Sequence, residues 1–102
     1  MRSPGLIPAR RSDMPTVRFT DNIQRHVPCP PRVVDGARVR DVLDAYFRAN
    51  IRARGYVLDD QGRLREHMSI FINGEQLRDR VHLTDPVPPD GVLDVIQALS
   101  GG

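Results

Sequence analysis

Val39, Val42, Leu43, Tyr46, Phe47 and Ile51 fall at i, i+3, i+4, i+7, i+8 and i+12. That spacing draws one apolar stripe along a helix, with Arg38, Arg40, Asp41, Asp44, Arg48 and Arg52 largely off it. No comparable helical pattern occurs elsewhere in the 102 residues. A stripe this wide needs a partner surface, and short strands are all the rest of the chain offers. The expected layout is therefore one helix, Val39 to about Arg54, lying across one face of a sheet. Gly55 is placed to end the helix in a left-handed cap.

The strands are legible from alternation and from turn residues. Thr16–Thr20 alternates apolar and polar. Asp21-Asn22 marks a turn, and Gln24–Val27 reads as more strand beyond it. Pro28, Pro30 and Pro31 around Cys29 remove backbone donors, so that piece belongs at an edge or in a loop. Arg32–Val34 is a short strand, expected to form a hairpin with the first. Val57-Leu58 and Arg63–Arg65 flank the turn Asp59–Gly62. His67–Ile72 is the clearest strand. It runs into Asn73-Gly74, a pair that tolerates the two positive φ values of a type I′ hairpin turn, and Glu75–Leu77 returns. Arg78–Asp90 reads as an irregular crossing loop. Val92–Ala98 is the last strand, able to lie centrally after so long a crossing. The fold class is α+β, with a mixed sheet of about four to five strands. Residues 1–15, with three prolines, one glycine and three arginines, read as a disordered leader before a domain at 16–98. Met14 offers an alternative start to Met1.

Composition removes several function classes. No apolar run approaches the ~20 residues of a membrane span, and no signal-peptide pattern follows Arg2. A net charge of +2 with no aromatic residues interleaved among the arginines does not argue for nucleic acid. Cys29 is the only cysteine, which fits a reducing cytoplasm. His26, His67 and His82 have no metal-ligand spacing with it. All 15 basic residues are arginine, a usage that a GC-rich genome accounts for. It leaves no side-chain amine to attack an activated carboxyl group on this chain.

The last strand runs through Leu99 and Ser100 into Gly101-Gly102. Small residues are common where chains fray. Gly-Gly is also thin enough to thread a narrow channel and carries a carboxylate at its tip. The order and spacing of several pieces together resemble the ubiquitin-like β-grasp sulfur carriers, the MoaD/ThiS family. Those pieces are Val39–Ala45 opening the helix, Ile70–Glu75, Pro89-Asp90-Gly91, and Ala98–Gly102. The resemblance covers nearly everything from Met14 to Gly102.

It implies a carrier or cosubstrate rather than an enzyme, with no tightly bound cofactor and no metal. A ubiquitin-activating-type adenylating enzyme would use ATP on the carboxylate of Gly102, the acceptor of the adenylate and then of the thiocarboxylate sulfur. Gly101, Ser100 and Leu99 would give the tail access. A synthase subunit or other acceptor enzyme would then take the sulfur, for molybdopterin, thiamine, cysteine or a related product. Two other classes stay open at this point. One is a protein modifier conjugated through Gly102; the other is a β-grasp binding module with no chemistry at its tail. For a carrier, the last strand and the Asn73-Gly74 region are the expected docking face.

Overall fold

A computed structural model describes residues 14–98 of the chain. The leader up to residue 13 and the tail Leu99–Gly102 lie outside the described residues. Strand β1, Thr16–Phe19, buries Val17 and Phe19 and turns Arg18 to the opposite face. Its alternation does what a period of two requires.

The chain then departs from the expected strand. Asp21–Gln24 is a short helix, α1, whose Ile23 is fully buried. Thr20 O accepts the N–H groups of Ile23 and Gln24, and Gln24 Nε2 donates to Phe19 O. A helical turn uses these local acceptors, whereas a strand here would run straight into prolines that cannot donate. The proline run follows, with Cys29 buried, and leads to β2, Arg32–Val33. β2 pairs antiparallel with β1, Thr16 opposite Val33, as the hairpin reading expects. The connection is the α1 turn and the proline run rather than a short link.

Helix α2 spans Val39–Ala49 and buries Val39, Val42, Leu43, Tyr46 and Phe47. The stripe therefore faces the core as far as Phe47. The single helix to Arg54 does not form. Asn50, at φ −136° and ψ 62°, breaks it, and α3 restarts at Ile51–Val57. The Asn50 amide donates to Tyr46 O at 3.2 Å, a side-chain bond that competes with helix continuation. The break re-aims the stripe. Ile51 is 68% exposed, and Ala53 and Val57 are buried instead. Gly55 sits inside α3 rather than capping it; the chain leaves the helix after Val57.

Beyond the Asp59–Gly62 turn, Leu58 and Leu64 form an antiparallel bridge. β3, Met68–Ile72, and β4, Glu75–Gln76, form a two-residue hairpin with Ile72 opposite Glu75. Asn73 and Gly74 have φ of 50° and 88°, as a type I′ turn demands. The crossing loop is pinned by Leu77, Leu83 and Val87, all buried. β5, Val92–Gln97, then enters the middle of the sheet. The strand order is β2-β1-β5-β3-β4. β5 runs parallel to β1 and antiparallel to β3, so the sheet is mixed. Tyr46 of α2 packs on Phe19 of β1 with ring centroids 5.0 Å apart. No helix among the described residues is long and apolar enough to cross a membrane.

Candidate docking face and tail root

Alternation along β1, β3 and β5 puts one set of side chains under the helices and the other on the opposite face. Val17, Phe19, Ile70, Leu93 and Val95 are the buried set. Arg18, Phe71, Asp94 and Ile96 form the other, exposed or half-buried. The parallel register sets Arg18 beside Asp94. Their side chains pair in a two-point fork, Arg18 Nε to Oδ1 at 2.8 Å and Nη2 to Oδ2 at 3.1 Å. This hydrogen bonding, and then the carboxylate's charge, raises the Arg18 guanidinium above its ordinary pKa. A cleft of about 410 Å³ opens over this pair, walled by Phe19, Thr20, Pro31, Phe71, Val95 and Ile96. Thr20 Oγ1 is buried with no hydrogen-bond partner. The surface thus combines apolar walls with a charge pair, a composition suited to docking a protein segment.

The last strand is held to its end. Gln97 lies opposite Met68, and the Ala98 N–H donates to His67 O at 2.8 Å. The Tyr56 hydroxyl meets Gln97 Oε1 at 3.4 Å, and the ring of His26 stacks on Tyr56 with centroids 5.6 Å apart. The tail positions Leu99, Ser100, Gly101 and Gly102 follow directly from this root and lie outside the described residues.

Burial raises the Cys29 thiol above its ordinary pKa, so it is a poor thiolate source. Among the described residues no group of three or more His, Cys, Asp or Glu could hold a metal ion. Of the expected docking elements, β5 contributes Asp94 and Ile96 to the face, and the hairpin contributes Gly74 to the cleft wall. Arg18 and Phe71 are additions. Both are the off-stripe members of alternating strands, but which strand neighbours which is not written in either strand.

A five-stranded mixed sheet in this order, with its principal helix packed across one face, is the ubiquitin-like β-grasp fold. A scan against protein-family models and a search of curated proteins find no match to this chain. Solved structures do match. Small archaeal modifier protein 1 of Haloferax volcanii has a TM-score of 0.73 at 24% identity, over 87% of this chain and 99% of its own. The protein of the same name from Methanosarcina acetivorans reaches 0.72 at 19% identity, over 87% and 96%. A chain of the Amycolatopsis orientalis BexX/CysO complex reaches 0.68 at 23% identity, over 86% and 99%. The expected fold, and the resemblance as far as it concerns fold, are borne out by these neighbours.

Proposed function

We propose that this chain is a ubiquitin-like sulfur carrier acting through Gly102 in the cytoplasm. The observation that carries the reading is the central strand β5, hydrogen-bonded through Ala98 and followed in sequence by Leu99-Ser100-Gly101-Gly102. Likeness to modifier proteins and to a chain of the BexX/CysO complex supports it. In the proposed cycle a carboxylate oxygen of Gly102 attacks the α-phosphorus of ATP on an adenylating partner, and pyrophosphate leaves. A hydrosulfide equivalent then adds to the acyl carbon and AMP departs, leaving a thiocarboxylate. A carboxylate is a poor electrophile; the adenylate supplies the leaving group that makes substitution possible. The acceptor enzyme takes the sulfur, and water returns the carboxylate. The chain's own contribution is to dock, through the Arg18–Asp94 face, and to present the tail.

A second reading, a modifier conjugated through Gly102 to amines of other proteins, is favoured by the modifier proteins among the structural neighbours. Lacking lysine, the chain would form no chains on its own side-chain amines.

Intact-mass spectrometry of the chain with the host's adenylating enzyme, ATP and sulfide separates the two. The expected product has one oxygen of Gly102 replaced by sulfur. An isopeptide adduct supports the modifier, and a carboxylate left untouched by every adenylating enzyme of the host overturns both. Deleting Gly102 should leave the unfolding midpoint unchanged and abolish sulfur loading. The carboxylate would then sit one residue short, over ~3 Å along an extended chain, where ~1 Å of misplacement is already costly.

A further inference from the structure

A cleft of about 730 Å³ opens between the approach to β3 and the crossing loop. Leu64, Arg65, Glu66 and His67 line it from the first, Arg80 and Val81 from the second. Two of its guanidiniums are held in place by backbone carbonyls. Arg80 Nη2 donates to Arg65 O and to Met68 O, each at 2.8 Å, and the Arg80 carbonyl accepts from the Leu64 N–H at 2.9 Å. Arg65 Nε donates to Gly55 O at 2.8 Å, and its backbone N–H to Val57 O at 3.0 Å. Both arginines are half-buried. Arg80 Nε and Nη1, and both Nη groups of Arg65, carry no hydrogen bond to a described residue.

The carboxylates that line the cleft do not neutralise them. Asp59 is taken by Arg63, whose Nε lies 3.0 Å from its Oδ2. Glu66 is exposed and forms no ion pair among the described residues. Beside the charges, Leu64 is buried and Val81 is 48% exposed. The cleft also adjoins the root of the tail. The Ala98 N–H donates to His67 O, and Arg65 and His67 wall a smaller hollow of about 340 Å³ that reaches Gln97.

We propose that this cleft docks an acidic segment of the adenylating partner, whose carboxylates pair with Arg65 and Arg80. The inference rests on the sulfur-carrier reading and adds to it a contact beside the tail. Four residues after Ala98 reach at most ~14 Å. An enzyme acting at Gly102 therefore has to close over the surface around Ala98, and His67 is the residue bonded to it. Anchored guanidiniums lose little freedom on binding, and their planar forks match carboxylates. A small molecule suits the cleft less well, because such sites are mostly apolar, and here Leu64 and Val81 are the only apolar wall. Single-stranded nucleic acid stacks its bases on aromatic rings, and no Phe, Tyr or Trp lines the cleft.

The test is ATP–pyrophosphate exchange by the host's adenylating enzyme, with the full chain as the varied substrate. His67→Glu and Val81→Glu each place a carboxylate in the cleft without removing a side-chain hydrogen bond, and their unfolding midpoints show that they are folded. Each should raise KM for the chain about tenfold or more, since like charges now meet. The difference should narrow as salt rises. Val81→Gln, with the shape of Val81→Glu but no charge, should raise KM far less. The proposal is overturned if either folded Glu variant keeps the parent's KM, or if Val81→Gln matches Val81→Glu. It is also overturned if oligouridylate competes with the enzyme for the parent and not for the Glu variants, which would assign the cleft to nucleic acid. If the parent supports no exchange with any adenylating enzyme of the host, the carrier reading fails and this contact falls with it. Exchange by the parent with unaffected variants strikes the contact alone.

Discussion

Tyr46 shows how a single side chain ties the proline run to the helix. It is fully buried, yet its hydroxyl donates to Pro30 O at 2.6 Å, giving the run an acceptor bond where its own residues cannot donate. Phe19 and Phe47 pack on its ring at 5.0 and 5.7 Å. Burial, and then the nearby Cys29 thiol, push the phenol up to about 12, with Arg32 opposing. The folded state therefore keeps the neutral phenol. Its contribution is fully present below the unfolded value of ~10 and is lost as pH rises through about 12. Tyr46→Phe keeps the ring and loses the bond. It should cost about 1 kcal/mol at neutral pH, a fall of roughly 4–8 °C in melting temperature for a domain this size. The variant's stability should also decline less than the parent's above pH ~10. Equal melting temperatures at neutral pH would show that the Pro30 bond contributes nothing.

The crossing loop between β4 and β5 has no strand ladder along most of its length, and two carboxylates organise it. Asp79 accepts from the backbone of Val81, His82 and Thr84 and from the Thr84 hydroxyl. Asp85 accepts the N–H groups of Arg78 and Asp79. These donors, the Thr84 hydroxyl first, hold the Asp79 carboxyl far below its ordinary value. Its contribution is present above the unfolded value of ~3.9 and is lost as pH falls through the lower folded one. Asp79→Asn should melt a few degrees lower at pH 7 and converge with the parent in strong acid. A gap that stays constant with pH would mean that charge is not what the loop uses. This loop was legible in sequence only as irregular, because hydrogen bonds from a carboxylate to backbone leave no periodic trace. Periodicity did place α2, β1, β3 and β5, and the Asn73-Gly74 pair placed the hairpin turn. It missed α1, where Ile23 is the only apolar residue of a four-residue helix and so has no period to show. It also missed the break at Asn50, because Ile51 continues the stripe in sequence while the chain turns it outward. At the candidate site, Arg18 and Asp94 stand 76 residues apart, and only the parallel register of β1 and β5 brings them together.

For the whole molecule the division of labour is between a helical side that carries the core and a sheet side that carries the charge pair. Arg18 and Asp94 side chains are 56% and 31% exposed, so their bond adds little to stability. Arg18→Glu should therefore leave the melting temperature within a few degrees of the parent's. If the face docks an adenylating enzyme, the same change should cut association with it at least about tenfold, with sulfur loading following. Undiminished association would move the docking surface elsewhere. The place of β5 has a further consequence, for the time at which the chain becomes a protein. Its neighbours on one side, β1 and β2, come from the start of the fold, and those on the other, β3 and β4, come from much later. Neither half can join the other until β5 has been synthesised, and pairings between such distant segments form slowly. A nascent chain stopped between Gln76 and Val92 has two half-sheets with open edges and no assembled charge pair for a partner to grip. Assembly of the fold thus certifies that translation has reached the root of the tail.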